Sequence, residues 1–453
     1  MLISDSIRDK IIRRSAEKFV KGNSSDNLRA MNVMNNEKVN NSFSETGDDF
    51  AEDGNRLVKL DAKTNHRPFR LTKVVRGQID RPMLVIILFF LVCGSAMVYS
   101  ASYAYALSKY GDSAHFIRNQ ILYAALGLAF MIVVSLLDYK LIKKFTPAVF
   151  AVSIFLLLIV LVIGTNDGVA KRWIDLKVVT FQPSEAAKIS VVLMLAYYYD
   201  KYYRQIHEKK HYIKTTILGT FIPGIILFFV CVLVFLENHV SGTVIIGLIG
   251  LSVIWAGGGK KLWYIIFGIA AVVGIVMLFM FTDKVISFLP DYAQKRINMW
   301  LHPENFDAQS DTWQTLQGLI AVGSGGLFGR GFGQSLQKQL FVSQPQNDFI
   351  FAIICEELGF VGALCIISLY LAFIWRGLYI ARRAPDTFSA ITAVGITAHV
   401  GIQAFLNMMV VTAVLPNTGI TLPFFSYGGS SLVILMGEMG ILLSISRYSR
   451  ISK

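Results

Sequence analysis

From Met83 onward the chain is a succession of apolar runs, each about as long as a bilayer is thick. A transmembrane helix needs about 20 mostly apolar residues. Ten such runs stand out, at 83–103, 120–138, 146–164, 183–200, 216–236, 240–257, 262–282, 348–374, 388–412 and 429–446. Several are interrupted by Gly or by one polar residue, which is tolerable where a span faces other spans. The pattern predicts an all-α polytopic membrane protein of ten transmembrane helices. Composition strengthens this reading: 54% of residues are hydrophobic, 16% are charged and mean hydropathy is +0.53. A soluble chain carries about 25% charged residues, so an ordinary water-soluble enzyme is excluded.

Residues 1–82 break the pattern. They are rich in Asn, Asp, Glu, Lys and Arg, poor in aromatics and without a long apolar run. Such a segment cannot bury a core, so it is expected to be a largely disordered cytoplasmic extension preceding the membrane domain, 83–453. Within it, SDSIRDKIIRRSAEKFV (4–20) has the pattern of a short amphipathic helix on anionic lipid, or of a solvated segment. The first apolar run begins too late for a signal peptide.

Charge then assigns the sides. The formal net charge is +13, from 43 Lys and Arg against 30 Asp and Glu. With the tail cytoplasmic, the inside loops are 139–145, 201–215, 258–261, 375–387 and 447–453, and they carry sixteen of the 43 cations; the tail carries sixteen more. The longer outside segments hold ten, and Lys188 lies within a span. This asymmetry follows the positive-inside rule and puts both termini in the cytoplasm. The basic balance therefore records topology, and no nucleic-acid partner is expected. Cys93, Cys231, Cys355 and Cys365 lie far apart in apolar runs, which speaks against a disulfide framework or a zinc site.

One outside connection is long. Residues 283–347 form a large extracellular loop between spans seven and eight, and loops of this length are functional or disordered. Trp300, Trp313, Phe328, Phe332, Phe341 and the stretch LQGLIAVGSGGLFG (316–329) make it too apolar for disorder. It is expected to lie at the outer surface and to re-enter partway.

Several polar groups need a reason to be there. Glu185 and Lys188 in QPSEAAK (182–188) share one helical face at i, i+3, at the outer start of span four. Charges in a bilayer pair or line a wet cavity, so the two are a structural ion pair or touch substrate. Asp348, after the Pro345 turn, is an N-cap or a general base at a cavity mouth; position alone favours the cap. Glu356 and Glu357 lie deeper and must face protein or water. The run GSGGLFGRGFG (323–333) lacks the Lys-Ser/Thr of a Walker loop, which leaves close backbone approach as its plainer purpose. Arg296 and Arg330 are outside cations whose guanidinium forks suit phosphate oxygens or a lipid headgroup. The segment LPNTGITLPFFSYGGSS (415–431) is too rich in Pro and Gly for a helix. Its irregular backbone must bond to protein or to a polar ligand, and Asn407 lies nearby.

These stretches together resemble the SEDS family of bacterial cell-wall proteins (FtsW, RodA, SpoVE). The resemblance rests on MVYSAS (97–102), KRWIDLKVVTFQPSEAAK (171–188), GSGGLFGRGFGQSLQK (323–338), NDFIFAIICEELGFVG (347–362) and LPNTGITLPFFSYGGSSL (415–432), in order, over residues 79 to 450. The form of the third stretch is nearer to FtsW and SpoVE than to RodA. The chain departs from the family pattern in DGVAKRW (167–173), in ENHVSGT (237–243), where Asn238 replaces a common Pro, and in Gln346-Asn347.

The resemblance implies a peptidoglycan glycosyltransferase in the cytoplasmic membrane that polymerises lipid II at the outer face. Its implied partners are a class B penicillin-binding protein as transpeptidase and other division proteins. It reverses the positional preference at Asp348, which matches the family's catalytic aspartate. Arg172, Trp173, Glu185 and Lys188 match its motif residues, and Ser426, Gly428, Gly429 and Ser430 match its SYGGSS loop. On this reading Asp348 takes a proton from the acceptor sugar, while Arg172, Lys188, Arg296 and Arg330 are candidates to balance charge on the departing diphosphate. A divalent cation, Mg or Mn, could share that task, although the sequence shows no dedicated cage. The rival readings are a lipid II flippase, which would use the Glu185–Lys188 pair and not Asp348, and a scaffold for a transpeptidase.

Overall fold

The computed structural model describes residues 74–167, 170–175, 180–208, 212–260, 262–266, 268–269, 291–302 and 311–450. The amphipathic pattern at 4–20 and most of the run at 262–282 lie outside them. The described helices are α1 (Arg81–Tyr110), α2 (His115–Leu136), α3 (Tyr139–Ile163), α4 (Pro183–His207), α5 (Tyr212–Leu236), α6 (Val240–Ala256), α7 (Asp291–Leu301), α8 (Asp311–Ser324), α9 (Ile350–Arg383), α10 (Thr387–Val411) and α11 (Gly429–Ser446). Among them seven are long and apolar enough to cross a membrane: α1, α2, α3, α5, α9, α10 and α11. Helix α6 is apolar but has 17 residues, and α4 is long enough at 25 residues but more polar. The exterior carries large exposed apolar side chains, among them Val92, Phe155, Val162, Phe228 and Trp375. Such a surface suits lipid tails, and with those seven helices of spanning length the fold is a polytopic membrane bundle.

The fold is all-α in class, as the apolar runs suggest, with two short sheets added among the described residues. Strands β1 (Val74–Arg76) and β5 (Tyr448–Arg450) pair antiparallel, Val74 opposite Arg450, and bring the two ends of the described chain together. Strands β2 (Thr165–Asp167), β3 (Ala170–Asp175) and β4 (Thr180–Phe181) form a small antiparallel sheet between α3 and α4. Both sheets are too short to show as alternation in the sequence.

Local chemistry explains the irregular helices. Pro223 lacks an amide proton and its ring crowds the carbonyl four residues back. Helix α5 opens into a π-helical turn over Ile217–Phe221 just before it. The Tyr198 and Tyr199 hydroxyls of α4 then donate to the Leu218 and Gly219 carbonyls. Asp80 caps α1 by accepting from the Met83 amide and also takes a bidentate pair from Arg376 near the end of α9, with Nη2 at 2.7 Å. Helices α2 and α11 pack through a seam of small residues: a Cβ at Gly440 would stand 2.7 Å from the Met131 carbonyl oxygen.

Helix α9 is broken at Gly359, whose φ of 69° and ψ of −167° are not helical. The Gly-rich run straps across this break. The amides of Arg330 and Gly331 donate to the carbonyls of Glu356 and Glu357, and those of Phe360 and Val361 to Gly326 and Leu327. The approach is so close that a Cβ at Gly329 would lie 2.1 Å from the Glu357 carbonyl oxygen. Close approach, the plainer reading of this run, is therefore its role. Below it, Glu356 and Glu357 are fully buried. Glu356 accepts from Ser335 and from the Leu336 amide. Lys338 pairs with Glu357 at 2.7 Å, and Ser100 bonds to both. Gly359→Ala imposes a left-handed φ on an L residue and drives a Cβ against the Gly329 amide. It is expected to cost more than about 1 kcal/mol, read as a lower melting temperature in detergent.

Candidate active site

The site is built where irregular backbone meets the ends of α4, α6, α9, α10 and α11. Pro183 opens α4 at a position where a missing amide proton costs nothing. That fixes Glu185 in the first turn and Lys188 one turn on, and their side chains pair at 2.9 Å. Lys188 is buried, and its ammonium also donates to the Gln403 carbonyl oxygen of α10 at 2.8 Å.

Asp348 sits just before α9. The helix is capped at Phe349 without a side-chain hydrogen bond, so the N-cap reading of Asp348 is set aside. Its backbone is held from outside. Asn407, fully buried in α10, donates through one amide nitrogen to the carbonyls of Asp348 and Ile420. Ser426 accepts from the Leu422 amide and donates to the Asn347 carbonyl, and the Tyr427 amide donates to the Gln346 carbonyl. The segments 344–348 and 415–429 are thus sewn together. The Asp348 side chain is half-buried, and a Cβ at Gly419 would come within 3.7 Å of its Oδ2.

A polar cavity of about 570 Å3 opens at this junction. Of the residues singled out in the sequence, Asp348, Arg172, Trp173, Glu185, Lys188, Gly428 and Gly429 line it. Ser426 and Ser430 are buried and are not on its wall, and Ser426 acts as the bolt just described. Arg296 and Arg330 are not on the wall either. Arg296 donates to the Asn417 carbonyl and so braces the 415–429 segment, beside Trp300, whose indole donates to Ala413. Arg330 lies 3.7 Å from Glu356 at the strap. Of the four candidate cations, Arg172 and Lys188 face the cavity. Among the described residues no three His, Cys, Asp or Glu side chains gather as a metal site.

The sequence assigns no role to Gln403, nor to His239 and Glu237 within the ENHVSGT stretch. Gln403 joins Lys188 to Thr421, donating to the Thr421 carbonyl and hydroxyl. His239 lines the cavity and lies 3.2 Å from the Ser184 hydroxyl. Its burial, followed by the Arg172 and Lys188 charges, pushes its pKa down to about 3, so the ring stays neutral. Glu237, next in the same turn, is almost fully buried, and neither carboxyl oxygen has a hydrogen-bond partner among the described residues. The Arg172 guanidinium donates to the carbonyl of Asn238 between them, at 2.6 Å.

Burial pushes the Glu237 carboxyl up to about 8, with the Arg172 charge pulling it partway back. A raised carboxyl keeps its proton in the folded state where the unfolded chain has released it. Stability is therefore full below the ordinary carboxylate range and falls as pH rises through about 8. Glu237→Gln removes this dependence. Thermal melts are expected to show the variant close to wild type near about pH 5 and more stable near about pH 9. Parallel curves would contradict the assignment.

Residues 81–451 match the family model described as cell cycle protein, which groups FtsW, RodA and SpoVE. Stage V sporulation protein E of Bacillus subtilis (strain 168) is 36% identical over 375 residues, covering 82% of this chain and 98% of that protein. The probable peptidoglycan glycosyltransferase FtsW of Geobacter sp. (strain M18) is 36% identical over 374 residues, covering 82% and 97%. A solved structure described as showing coordination of polymerization and crosslinking by a peptidoglycan synthase complex superposes with a TM-score of 0.65 at 22% identity, covering 82% of this chain and 98% of that one. That likeness supports the shared fold. With its motifs in order and its model match spanning nearly all of the membrane region, the chain belongs to the FtsW/RodA/SpoVE family of cell-cycle proteins, and to its FtsW/SpoVE type.

Proposed function

We propose that the chain is a peptidoglycan glycosyltransferase that polymerises lipid II at the outer face of the cytoplasmic membrane, during division or sporulation. The observation that carries this reading is that Asp348, Arg172 and Lys188 all open onto one polar cavity. Relatives named as peptidoglycan glycosyltransferases support the activity.

In the proposed reaction the 4-hydroxyl of the acceptor sugar attacks the anomeric carbon of the donor. A C–O bond forms, the bond to the diphosphate breaks with inversion, and Asp348 takes the hydroxyl proton. A positioned base of this kind contributes typically about 10²–10⁴-fold. Arg172 and Lys188 balance the charge that grows on the leaving diphosphate. Among the described residues Asp348 and Glu185 are the carboxylates on the cavity wall. A divalent cation, Mg or Mn, would therefore draw most of its ligands from the diphosphate, as Mg commonly does.

Beside α4 lies a second, apolar groove of about 590 Å3, lined by Phe130, Leu141, Phe145, Val149, Leu193 and neighbours. It suits a polyprenyl tail, while the polar cavity suits the sugars and the diphosphate. On the proposed topology there are ten spans, the termini are cytoplasmic and the cavity faces outward. The distribution of cations and the pairing of β1 with β5 support this arrangement. A class B penicillin-binding protein is the proposed crosslinking partner, in keeping with the synthase complex whose fold the chain shares.

The test is polymerisation of labelled lipid II by the protein with its partner, wild type against Asp348→Ala. The variant is expected to fold and to lose glycan synthesis by at least about 10²-fold. Polymer at the wild-type rate would overturn the base assignment. Lipid II crossing a bilayer unchanged in the variant, with no polymer from wild type, would favour the transport reading.

A further inference from the structure

The polar network does not stop at the cavity. Behind Gln403, the ring of His399 lies one helical turn earlier on α10, with Nε2 3.0 Å from the Gln403 carbonyl oxygen. Its Nδ1 lies 2.8 Å from Oε2 of Glu438, about the middle of α11. Glu438 and His399 are both buried, at 1% and 3% exposure. Ionisable groups at this depth are costly and need a reason.

Donor and acceptor roles in this chain of contacts are fixed by its outer end. The Gln403 amide nitrogen faces the Thr421 carbonyl and hydroxyl, and its carbonyl oxygen faces the Lys188 ammonium. Turning the amide over would set its NH2 against an ammonium and its oxygen against a carbonyl. The oxygen therefore accepts, and His399 Nε2 must carry a hydrogen. Nδ1 then meets Glu438 Oε2 with one proton between them, resting on the imidazole or on the carboxyl. Without that proton a ring lone pair would face a carboxylate oxygen. In either form the pair has no net charge, which suits its burial.

We propose that His399 and Glu438 are positioning residues: a hydrogen held between Nδ1 and the side chain at 438 leaves Nε2 as the donor that fixes the Gln403 carbonyl on the Lys188 ammonium at the cavity wall. The second, independent hold on Lys188 is Glu185. His399 and Glu438 are not on the wall of the polar cavity but line a small pocket behind it that shares Glu185 and Gln403 with that wall, so they act on catalysis through Gln403 and Lys188. A buried ion pair is weak evidence for stability, whereas a fixed direction for one cation is what charge stabilisation in a leaving group requires. The role at Lys188 rests on the proposed glycosyl transfer.

Three proteins test it by steady-state polymerisation of labelled lipid II, by melting temperature and by cryo-EM. In Glu438→Gln the amide donates to Nδ1 of a neutral ring, so kcat is expected within about twofold of wild type. In His399→Leu combined with Glu438→Met no polar group of the pair is left orphaned, so the bundle stays folded with a near-unchanged melting temperature. Gln403 nevertheless loses its inner donor. Turnover is expected to fall about tenfold with KM little changed, and the structure to show Gln403 turned away from Lys188. Wild-type turnover in the double variant, an equal loss in Glu438→Gln, or a retained Gln403–Lys188 contact overturns the proposal. Wild-type protein that makes no glycan sinks the glycosyltransferase reading, and the variant's structure alone then decides the role of the pair.

Discussion

The amide of Asn407 is the contact on which the site depends. It ties the carbonyl of Asp348 to that of Ile420, joining the start of one long helix to the irregular segment that precedes another. At a membrane rim the backbone groups of a segment with two prolines and several glycines must be satisfied by protein. An unpaired buried amide or carbonyl costs roughly 2–7 kcal/mol. The segment from Leu415 to Gly429 meets that demand through Asn407, Gln403, Ser426, Tyr370, Arg296 and the Gln346 carbonyl. The same bonds that make the irregular backbone tolerable also fix where the Asp348 carboxylate stands.

A parallel economy operates on the other side of Asp348. Helix α9 begins beside it and breaks at Gly359, and the Gly-rich strap occupies the break. The ion pair of Lys338 with Glu357, with Ser100 from α1, holds the strap down. Arg330, whose guanidinium would suit a diphosphate, belongs to this strap instead. The acidic groups around α9 are thus separated by place: Glu356 and Glu357 within the helix serve the strap, and Asp348 just before it lines the cavity.

Much of the fold can be read in the sequence because a bilayer-length apolar run has few alternatives. Runs near α1, α2, α3, α5, α9, α10 and α11 correspond to helices of spanning length. The short sheets escape notice because two- to six-residue strands leave no period to detect. At the site, Asp348, Glu185, Lys188, Arg172 and Trp173 are legible as charges or motif residues in apolar context, and the cavity gathers them. Arg296, Arg330, Ser426 and Ser430 look equivalent to them in sequence, yet only tertiary packing shows that two brace loops and two are buried off the cavity wall. Gln403, His399 and Glu438 show the opposite limit. Each is a lone polar residue in an apolar run, and their connection crosses two helices, which no local spacing encodes. Glu237 stands in the ENHVSGT stretch, yet nothing in the sequence announces its burial, which comes from the turn between α5 and α6.

The proposed catalysis depends on where the two substrates sit relative to Asp348. A high-resolution structure of the wild-type protein with its partner and a non-reactive lipid II analogue addresses this directly. The acceptor 4-hydroxyl is expected within hydrogen-bond reach of an Asp348 carboxylate oxygen, about 2.6–3.2 Å, with the donor diphosphate against Lys188 and Arg172. Sugars bound outside the polar cavity, or an acceptor hydroxyl held by another group with Asp348 turned away, would contradict it.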